Sequence, residues 1–175
     1  MANKEIELKS VIVLTVLTIV SAIVLTFVHQ ITAPIIEEQA MAELENSIFN
    51  VLEEAEDYEI IEDGEITYYQ AFDSGGNEVG IAIEASSSGY EDDVEILAGL
   101  DMAAEKVLKL SILNHSETPG LGARIEEDDF LEQFKGRSFS DEGVDVISGA
   151  TESSTAVNNA LLEAIEKAQE AYGGE

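Results

Sequence analysis

An uncharged apolar run near the amino terminus constrains this chain more than any other feature. Residues 10–28 read SVIVLTVLTIVSAIVLTFV and contain no charged side chain. At about 1.5 Å per residue, a helix of this length spans roughly 28 Å, which matches the hydrocarbon core of a bilayer. The run is longer than the apolar part of a signal peptide, and no small-residue cleavage site follows it. The sequence therefore predicts a single transmembrane helix over residues 10–28.

The charges that flank this run predict its orientation. Lys4 and Lys9 precede it, and the next Lys or Arg after it is Lys106. Because cytoplasmic segments beside membrane helices carry an excess of Lys and Arg, residues 1–9 are expected to be cytoplasmic. The rest of the chain is then expected on the extracytoplasmic side of the cell membrane.

Small and hydroxyl-bearing side chains recur with helical spacing within the run, at Thr15, Thr18, Ala22 and Thr26. A stripe of this kind can pack against another membrane helix. The Thr hydroxyls can equally donate to carbonyls of their own helix. The spacing alone leaves both interpretations open.

The charge of the remaining chain excludes one class of partner. The 175 residues include 37 Asp and Glu against 8 Lys and Arg, giving a formal net charge of −29. Nucleic-acid affinity depends on basic side chains that displace counterions, so nucleic-acid binding is excluded. Hydrophobic residues still make up 45% of the chain, enough for a folded core. The acids are expected to coat a folded surface that salt stabilises by screening its self-repulsion.

Several chemistries are excluded by composition and by the absence of motifs. Without Cys, the chain has no disulfide, no thiolate nucleophile and no cysteine ligands for an iron–sulfur cluster. Two distant His residues do not form a metal site, and the acidic runs at 91–93 and 126–129 lack the ligand spacing of a calcium loop. We therefore expect no metal site and no catalytic residue.

The apolar periodicity predicts an α+β domain over residues 58–175. Residues 29–57 are expected to form an amphipathic connecting helix, interrupted briefly at Pro34. Two β-hairpins follow: one pairs GEITYYQAFD with EVGIAIEAS, the other VEILAGLD with KVLKLSILN. A short helix closed by Gly136, a short strand near residue 145 and a terminal helix complete the prediction. The buried side of that last helix is expected to carry Val157, Leu161, Leu162, Ile165 and Ala168.

Two loops rich in small residues are the candidate sites. In residues 145–153 (DVISGATES), the small residues Ser148, Gly149 and Ala150 leave the backbone bare before the Thr151 hydroxyl. The start of a helix offers free N–H groups to a phosphate, although the charge of Glu152 opposes an anion there. The alternative is that Thr151 or Ser153 only caps the helix, which the spacing alone favours.

The second loop, residues 115–122, reads HSETPGLG. Pro119 and Gly120 predict a turn in which Gly120 takes a positive φ. Leu121 would then be an apolar residue at the tip of a loop. Considered alone, this segment is a turn without an assigned role.

Taken together, these loops resemble the covalent FMN-binding domain family. That family includes the G subunit of Rnf complexes, which are membrane ferredoxin–NAD⁺ oxidoreductases, and the C subunit of Na⁺-translocating NADH–quinone reductases. Its D-x-x-S/T-G-A-T-x-S/T motif matches residues 145–153, and its H-x-E-T-P-G-L-G loop matches residues 115–122. The family's Gly-Tyr pair and its Gly-hydrophobic-Asp strand end match residues 89–90 and 99–101. Glu91-Asp92-Asp93 after Gly-Tyr and the hairpin connection MAAE depart from the family pattern.

The resemblance implies an electron-transfer subunit with FMN esterified through its phosphate to Thr151. It also implies that the flavin site includes Ser148, Gly149, Ala150, Glu117, Thr118, Pro119, Gly120, Leu121 and Gly122. The implied partners are other membrane subunits of an Rnf complex, one of them also covalently flavinylated. That complex would couple ferredoxin oxidation and NAD⁺ reduction to Na⁺ or H⁺ export.

A Thr hydroxyl is a weak nucleophile, and the sequence shows no base poised to activate it, so self-flavinylation is not expected. The resemblance implies instead a separate, extracytoplasmic, Mg²⁺-dependent flavin transferase that uses FAD. Two alternatives remain: a free-standing anchored flavin carrier for extracytoplasmic reduction, and a non-redox scaffold in which Thr151 is only a cap.

Overall fold

A computed structural model describes residues 2–64, 66–141 and 143–172, with side chains from residue 9 onward. The chain divides into two units, one ending at Glu43 and the other beginning at Leu44. The first unit consists of helix, and the second contains the β-sheet and the candidate loops.

The first helix, α1, extends from Ala2 to Val51 and is continuous through Pro34. The predicted interruption is therefore wrong. Proline removes one backbone donor, and the flanking turns keep their own hydrogen bonds. The hydroxyls of Thr15, Thr18 and Thr26 each donate to the carbonyl four residues earlier at 2.8 Å, as in the second interpretation of the threonine stripe. Within the described chain, this helix is the one long and apolar enough to cross a membrane.

The predicted helix end at residue 57 is also wrong, because α1 ends at Val51 and a strand, β1, occupies Asp57–Asp63. The sequence DYEIIED does not alternate clearly, and Ile60 is 58% exposed. Antiparallel pairing with the next strand defines β1 as an edge strand. The partner is the neighbouring segment, with Asp63 opposite Ile66, but a mostly exposed strand with two adjacent isoleucines lacks the alternation that would identify it.

The sheet has five antiparallel strands in the order β1-β2-β3-β4-β5. The remaining strands are β2 (Ile66–Phe72), β3 (Glu78–Ser88), β4 (Asp93–Asp101) and β5 (Lys106–Asn114). Both predicted hairpins, β2–β3 and β4–β5, are confirmed.

The connection between β5 and the last helix is more irregular than expected. The predicted short helix consists of α2 (Asp128–Leu131) between two 3₁₀ turns, Gly122–Glu126 and Glu132–Phe134. No strand forms over residues 143–147, contrary to prediction. The Gln133 amide instead holds this segment by accepting from the Asp145 N–H at 3.0 Å and donating to its carbonyl at 3.4 Å.

The last helix, α3 (Thr151–Tyr172), buries one side on the sheet. Val157, Ala160 and Leu161 belong to the main core with strand residues such as Ile83 and Ile96. Leu162 is 49% exposed, so its predicted burial is wrong. It follows the buried Leu161 by one residue, and successive helical side chains point about 100° apart.

A second core cluster lies within the same unit. Ile48 and Val51 at the end of α1, and Leu52 directly after it, pack with Tyr69 and Leu97 of the sheet. The sheet thus has apolar contacts on both faces, and the α+β fold class is confirmed.

Candidate functional site

Three segments that are distant in sequence enclose one cavity of about 590 Å³. They are the β3–β4 turn, the 115–122 loop and the start of α3. Cavities of this size accommodate small molecules and cofactors. The lining residues are Tyr90, Glu91, Glu117, Thr118, Leu121, Gly122, Gly149, Ala150, Thr151, Glu152 and Ser153. Of the residues predicted from sequence, Ser148, Pro119 and Gly120 lie outside this lining.

Thr151 is the first residue of α3 and is exposed. The carbonyl of Ala150 accepts the Ser154 N–H at 2.9 Å, so Ala150 occupies the N-cap position. The Thr151 hydroxyl forms no hydrogen bond with the described residues, and the Ser153 hydroxyl donates to Glu117. Neither hydroxyl caps the helix. The structure therefore does not support the alternative in which Thr151 or Ser153 serves only as a helix cap.

The first backbone donors of α3 are free for a ligand. Among the described residues, none accepts a hydrogen bond from the N–H of Thr151, Glu152 or Ser153. Three such donors at the positive end of a 22-residue helix suit a phosphate. The cavity lining contains no Lys, Arg or His. The negative charge of its Glu152 partly offsets the positive electrostatic potential at the start of the helix.

Leu121 brings the two candidate loops together. Gly149 has φ +85°, and a Cβ added there would lie 3.9 Å from Leu121 Cδ2. Gly120 has φ +76°, as the turn prediction requires. Leu121 and Tyr90 are exposed, at 54% and 69%, although both line the cavity. The cavity therefore has an apolar and aromatic wall that is open to a ligand.

Glu117 connects all three segments and is only 4% exposed. Its carboxylate accepts from the Ser153 hydroxyl at 2.6 Å and from the backbone N–H of Tyr90 and Glu91 at 2.7 and 3.3 Å. Burial raises the pKa of Glu117, but these three hydrogen bonds, with a smaller electrostatic attraction from His115, outweigh burial and hold the pKa below its usual value. Glu117 is thus a buried, ionised group.

Two glycines make room for this carboxylate. A Cβ on Gly89 would collide with Glu117 Oε1, and a Cβ on Gly122 would collide with Glu117 Oε2 and lie 2.7 Å from Ser153 Oγ. The glycine of the Gly-Tyr pair and the last glycine of the 115–122 loop are therefore needed for close packing against Glu117.

His115 supports the loop from outside the cavity. Its Nδ1 accepts the Glu117 N–H at 3.1 Å, and its Nε2 lies 3.1 Å from Glu126 Oε1. An accepting Nδ1 places the proton on Nε2, where it can be donated to Glu126. His115 orients the backbone of Glu117 and does not line the cavity.

Four lining residues were absent from the predicted site: Tyr90, Glu91, Glu152 and Ser153. The Gly-Tyr pair and the final position of the 145–153 motif were available signals for Tyr90 and Ser153. No cluster of three His, Asp or Glu residues in the described part of the chain is arranged to hold a metal ion.

Comparison with protein families gives two matches on this chain. Residues 89–166 match the model described as FMN-binding domain, and residues 1–51 match the model described as RnfG N-terminal region. The first match includes every residue of the cavity lining.

The fold is also found in solved structures. The C subunit of the Na⁺-translocating NADH-quinone reductase from Parabacteroides distasonis aligns with a TM-score of 0.64 at 14% identity, over 80% of this chain and 96% of that one. NqrC from Shewanella oneidensis aligns with a TM-score of 0.55 at 16% identity, over 71% and 72%. At these identities the likeness shows the fold.

Full-length relatives show the family. The G subunit of an ion-translocating oxidoreductase complex from Methanosarcina acetivorans is 31% identical over 94% of this chain and 95% of its own length. The G subunit of a proton-translocating ferredoxin:NAD(+) oxidoreductase complex from Clostridium ljungdahlii is 30% identical over 92% and 91%. This chain belongs to the family of G subunits of ion-translocating oxidoreductase complexes, as a membrane-anchored member with an FMN-binding domain.

Proposed function

We propose that this protein carries FMN in a phosphoester bond to Thr151 and transfers electrons through it as a subunit of an Rnf ferredoxin:NAD⁺ oxidoreductase complex. The observation that carries the proposal is the state of the Thr151 hydroxyl. It is exposed, has no hydrogen bond to the described residues, and lies at the edge of a cavity that both candidate loops line.

The residues around Thr151 fit this cofactor. The free N–H groups at the start of α3 would contact the phosphate. Leu121 and Tyr90 would offer apolar contact to the ring, and Gly149 leaves the approach to it open. Bound there, FMN would supply the redox chemistry, which no side chain of this Cys-free protein provides.

The charge of the cavity supports covalent attachment. Glu91, Glu117 and Glu152 line it, and no lining side chain is basic. A phosphate held by noncovalent contacts alone would face like charges that weaken its binding. An ester to Thr151 makes occupancy independent of this repulsion and of the concentration of free flavin.

Maturation by a separate enzyme is consistent with the site. No described residue hydrogen-bonds to the Thr151 hydroxyl as a base would, and the buried Glu117 is engaged with three other donors. We therefore propose an extracytoplasmic flavin transferase as a partner during assembly.

The proposed topology follows from the flanking charges. Residues 1–9 are cytoplasmic, residues 10–28 cross the cell membrane, and the β-sheet domain that follows α1 is the extracytoplasmic FMN domain. Neighbouring membrane subunits of the complex, including a second flavinylated subunit, exchange electrons with this domain. Ion transport belongs to those partners, since residues 10–28 carry no charge.

The test is peptide mass mapping of the protein purified from its native membrane. The peptide containing Thr151 is expected to carry the mass of FMN less one water, and Thr151→Ala is expected to lose it completely. Thr155→Ala is the matched control, because this exposed threonine lies one turn further along α3 and outside the cavity lining. The control variant is expected to keep its flavin.

Two outcomes would contradict the proposal. An unmodified Thr151 in a fully active native complex would favour the scaffold function. A flavinylated protein that never co-purifies with polytopic membrane subunits would favour the free-standing carrier.

A further inference from the structure

One of the three carboxylates of the cavity differs from the others in its surroundings. Glu91 and Glu152 are exposed to solvent, whereas Glu117 is 4% exposed. Water and salt screen the two exposed charges efficiently, but a buried charge is screened much less. Glu117 is therefore the dominant fixed charge that a cavity ligand experiences.

In the described part of the chain, dipoles rather than an ion pair with Lys or Arg compensate this charge. Among the described residues, neither Lys nor Arg forms an ion pair with Glu117. His115 contacts Glu117 at the backbone, where its Nδ1 accepts the N–H, and its Nε2 faces Glu126, so its attraction is the smallest of the effects that lower the pKa of Glu117. The carboxylate is stabilised by neutral donors instead, namely the Ser153 hydroxyl and the Tyr90 and Glu91 backbone N–H groups. These dipoles keep the carboxylate ionised without cancelling its net charge.

We propose that the buried charge of Glu117 lowers the reduction potential of the flavin in this cavity, so that Glu117 is a redox-tuning residue of the subunit. The inference rests on the proposed function, because it requires FMN on Thr151. Reduction adds negative charge to the flavin, and a nearby unneutralised carboxylate opposes that addition. In a cavity of about 590 Å³, a bound group lies within roughly one Debye length, about 10 Å at 0.1 M salt, of Glu117.

A lower potential makes the reduced flavin a stronger electron donor to the next centre. The same carboxylate joins the three segments of the cavity, so the position of the charge relative to Thr151 is built into the fold. Tuning by Glu117 is thus expected whichever centre accepts the electrons.

The experiment is a spectroelectrochemical titration of full-length protein produced together with its flavin transferase. The midpoint potential of the wild type is compared with that of Glu117→Gln and of two matched controls, Glu91→Gln and Glu152→Gln. Each substitution removes one carboxylate from the cavity lining, but only the first removes a buried one. Titrations at low and high salt separate buried from exposed charges.

Glu117→Gln is expected to shift the midpoint potential to a more positive value, by more than either control, and to keep that shift at high salt. The smaller shifts of the two controls are expected to shrink as salt is added. A midpoint that is unchanged in Glu117→Gln, or a shift no larger or no more salt-resistant than those of the controls, would overturn the proposal.

A second variant covers the case in which Glu117→Gln does not retain flavin. Ser153→Ala keeps the carboxylate but removes its hydroxyl donor, which leaves the charge less compensated. The midpoint potential is then expected to become more negative, and an unchanged or more positive value would overturn the inference. Failure of the proposed function is recognised by a different measurement, the mass of the Thr151 peptide. Wild-type protein without added mass on that peptide would overturn both the attachment of FMN to Thr151 and the tuning by Glu117.

Discussion

At the scale of single residues, Glu117 organises the candidate site. Its carboxylate joins the β3–β4 turn to the start of α3, and Gly89 and Gly122 provide the space it needs. Hydrogen bonds to a charged group contribute about 1.5–3 kcal/mol each, and their loss leaves buried donors without a partner. The sequence placed Glu117 in the predicted site, and the structure adds that it supports the cavity walls.

The pH dependence of stability provides a test of this role. Burial raises the pKa of Glu117, but the Ser153, Tyr90 and Glu91 hydrogen bonds, with a smaller electrostatic attraction from His115, outweigh burial and hold it below its ordinary value of 4.5. A depressed folded-state pKa stabilises the native state above the unfolded-state pKa, and this contribution is lost as the pH falls from 4.5 through the folded-state value. Wild type is therefore expected to be more stable than Glu117→Gln at neutral pH, with the difference shrinking below pH 4.5.

Thermal midpoints of the full-length protein in detergent, followed by near-ultraviolet circular dichroism, measure this difference across pH. Glu166→Gln on the exposed side of α3 is the control. A wild-type advantage that stays constant on acidification would contradict an ionised Glu117.

At the scale of elements, α3 serves both the core and the site. Its first residue is Thr151, and its buried side begins with Ser153 and Ser154 and continues through Ala156, Val157 and Ala160. The packing that fixes the helix on the sheet thus also fixes the direction of its free N–H groups. Loss of that packing is expected to disturb the site together with the core.

Two adjacent leucines of α3 provide a matched pair for this argument. Leu161 is 6% exposed in the main core, and Leu162 is 49% exposed. Leu161→Ala is expected to destabilise the protein by about 2–5 kcal/mol, because it removes buried methyl groups and leaves a cavity. Leu162→Ala is expected to change stability by less than about 1 kcal/mol. Urea unfolding of the two full-length variants would reveal the difference, and equal losses would contradict the observed orientation of the helix.

At the scale of the whole molecule, the large negative charge has the strongest influence on how stability depends on solution conditions. The formal net charge is −29, and within the described chain the salt bridges of Lys and Arg involve only three glutamates and one aspartate. Most acidic side chains of that part therefore have no cation beside them. Their mutual repulsion destabilises the folded state at low ionic strength.

The thermal midpoint of the protein is accordingly expected to rise between low and high concentrations of sodium chloride. Screening reduces repulsion among the many unpaired acids more than it weakens the few exposed ion pairs. Potassium chloride is a control for specific ion binding and is expected to act equally. A midpoint that stays constant or falls with salt would contradict the charge argument.

Much of the architecture could be predicted because local sequence patterns identify most of its elements. The uncharged run, the alternating segments of both hairpins and the amphipathic terminal helix each have a period or length that identifies the element. The elements that were mispredicted lack such a period: β1 is a mostly exposed edge strand, and the irregular 143–147 segment is held by the Gln133 amide. The exposed Leu162 shows that local patterns also leave the rotation of a helix undetermined. The apolar spacing of α3 is compatible with two neighbouring orientations on the sheet, and only one of them buries Leu162.

The sequence by itself determined the apolar helix, the fold class, the acidic surface and the two loops that carry the family resemblance, because composition, periodicity and short motifs are properties of neighbouring residues. Only the tertiary structure decided that these loops share one cavity, that Ala150 rather than Thr151 or Ser153 is the N-cap, and that Glu117 is buried and ionised beneath the site. The physical reason is that hydrogen bonds and burial join residues 26 to 36 positions apart, and the free energy of such contacts depends on the folding of the whole domain.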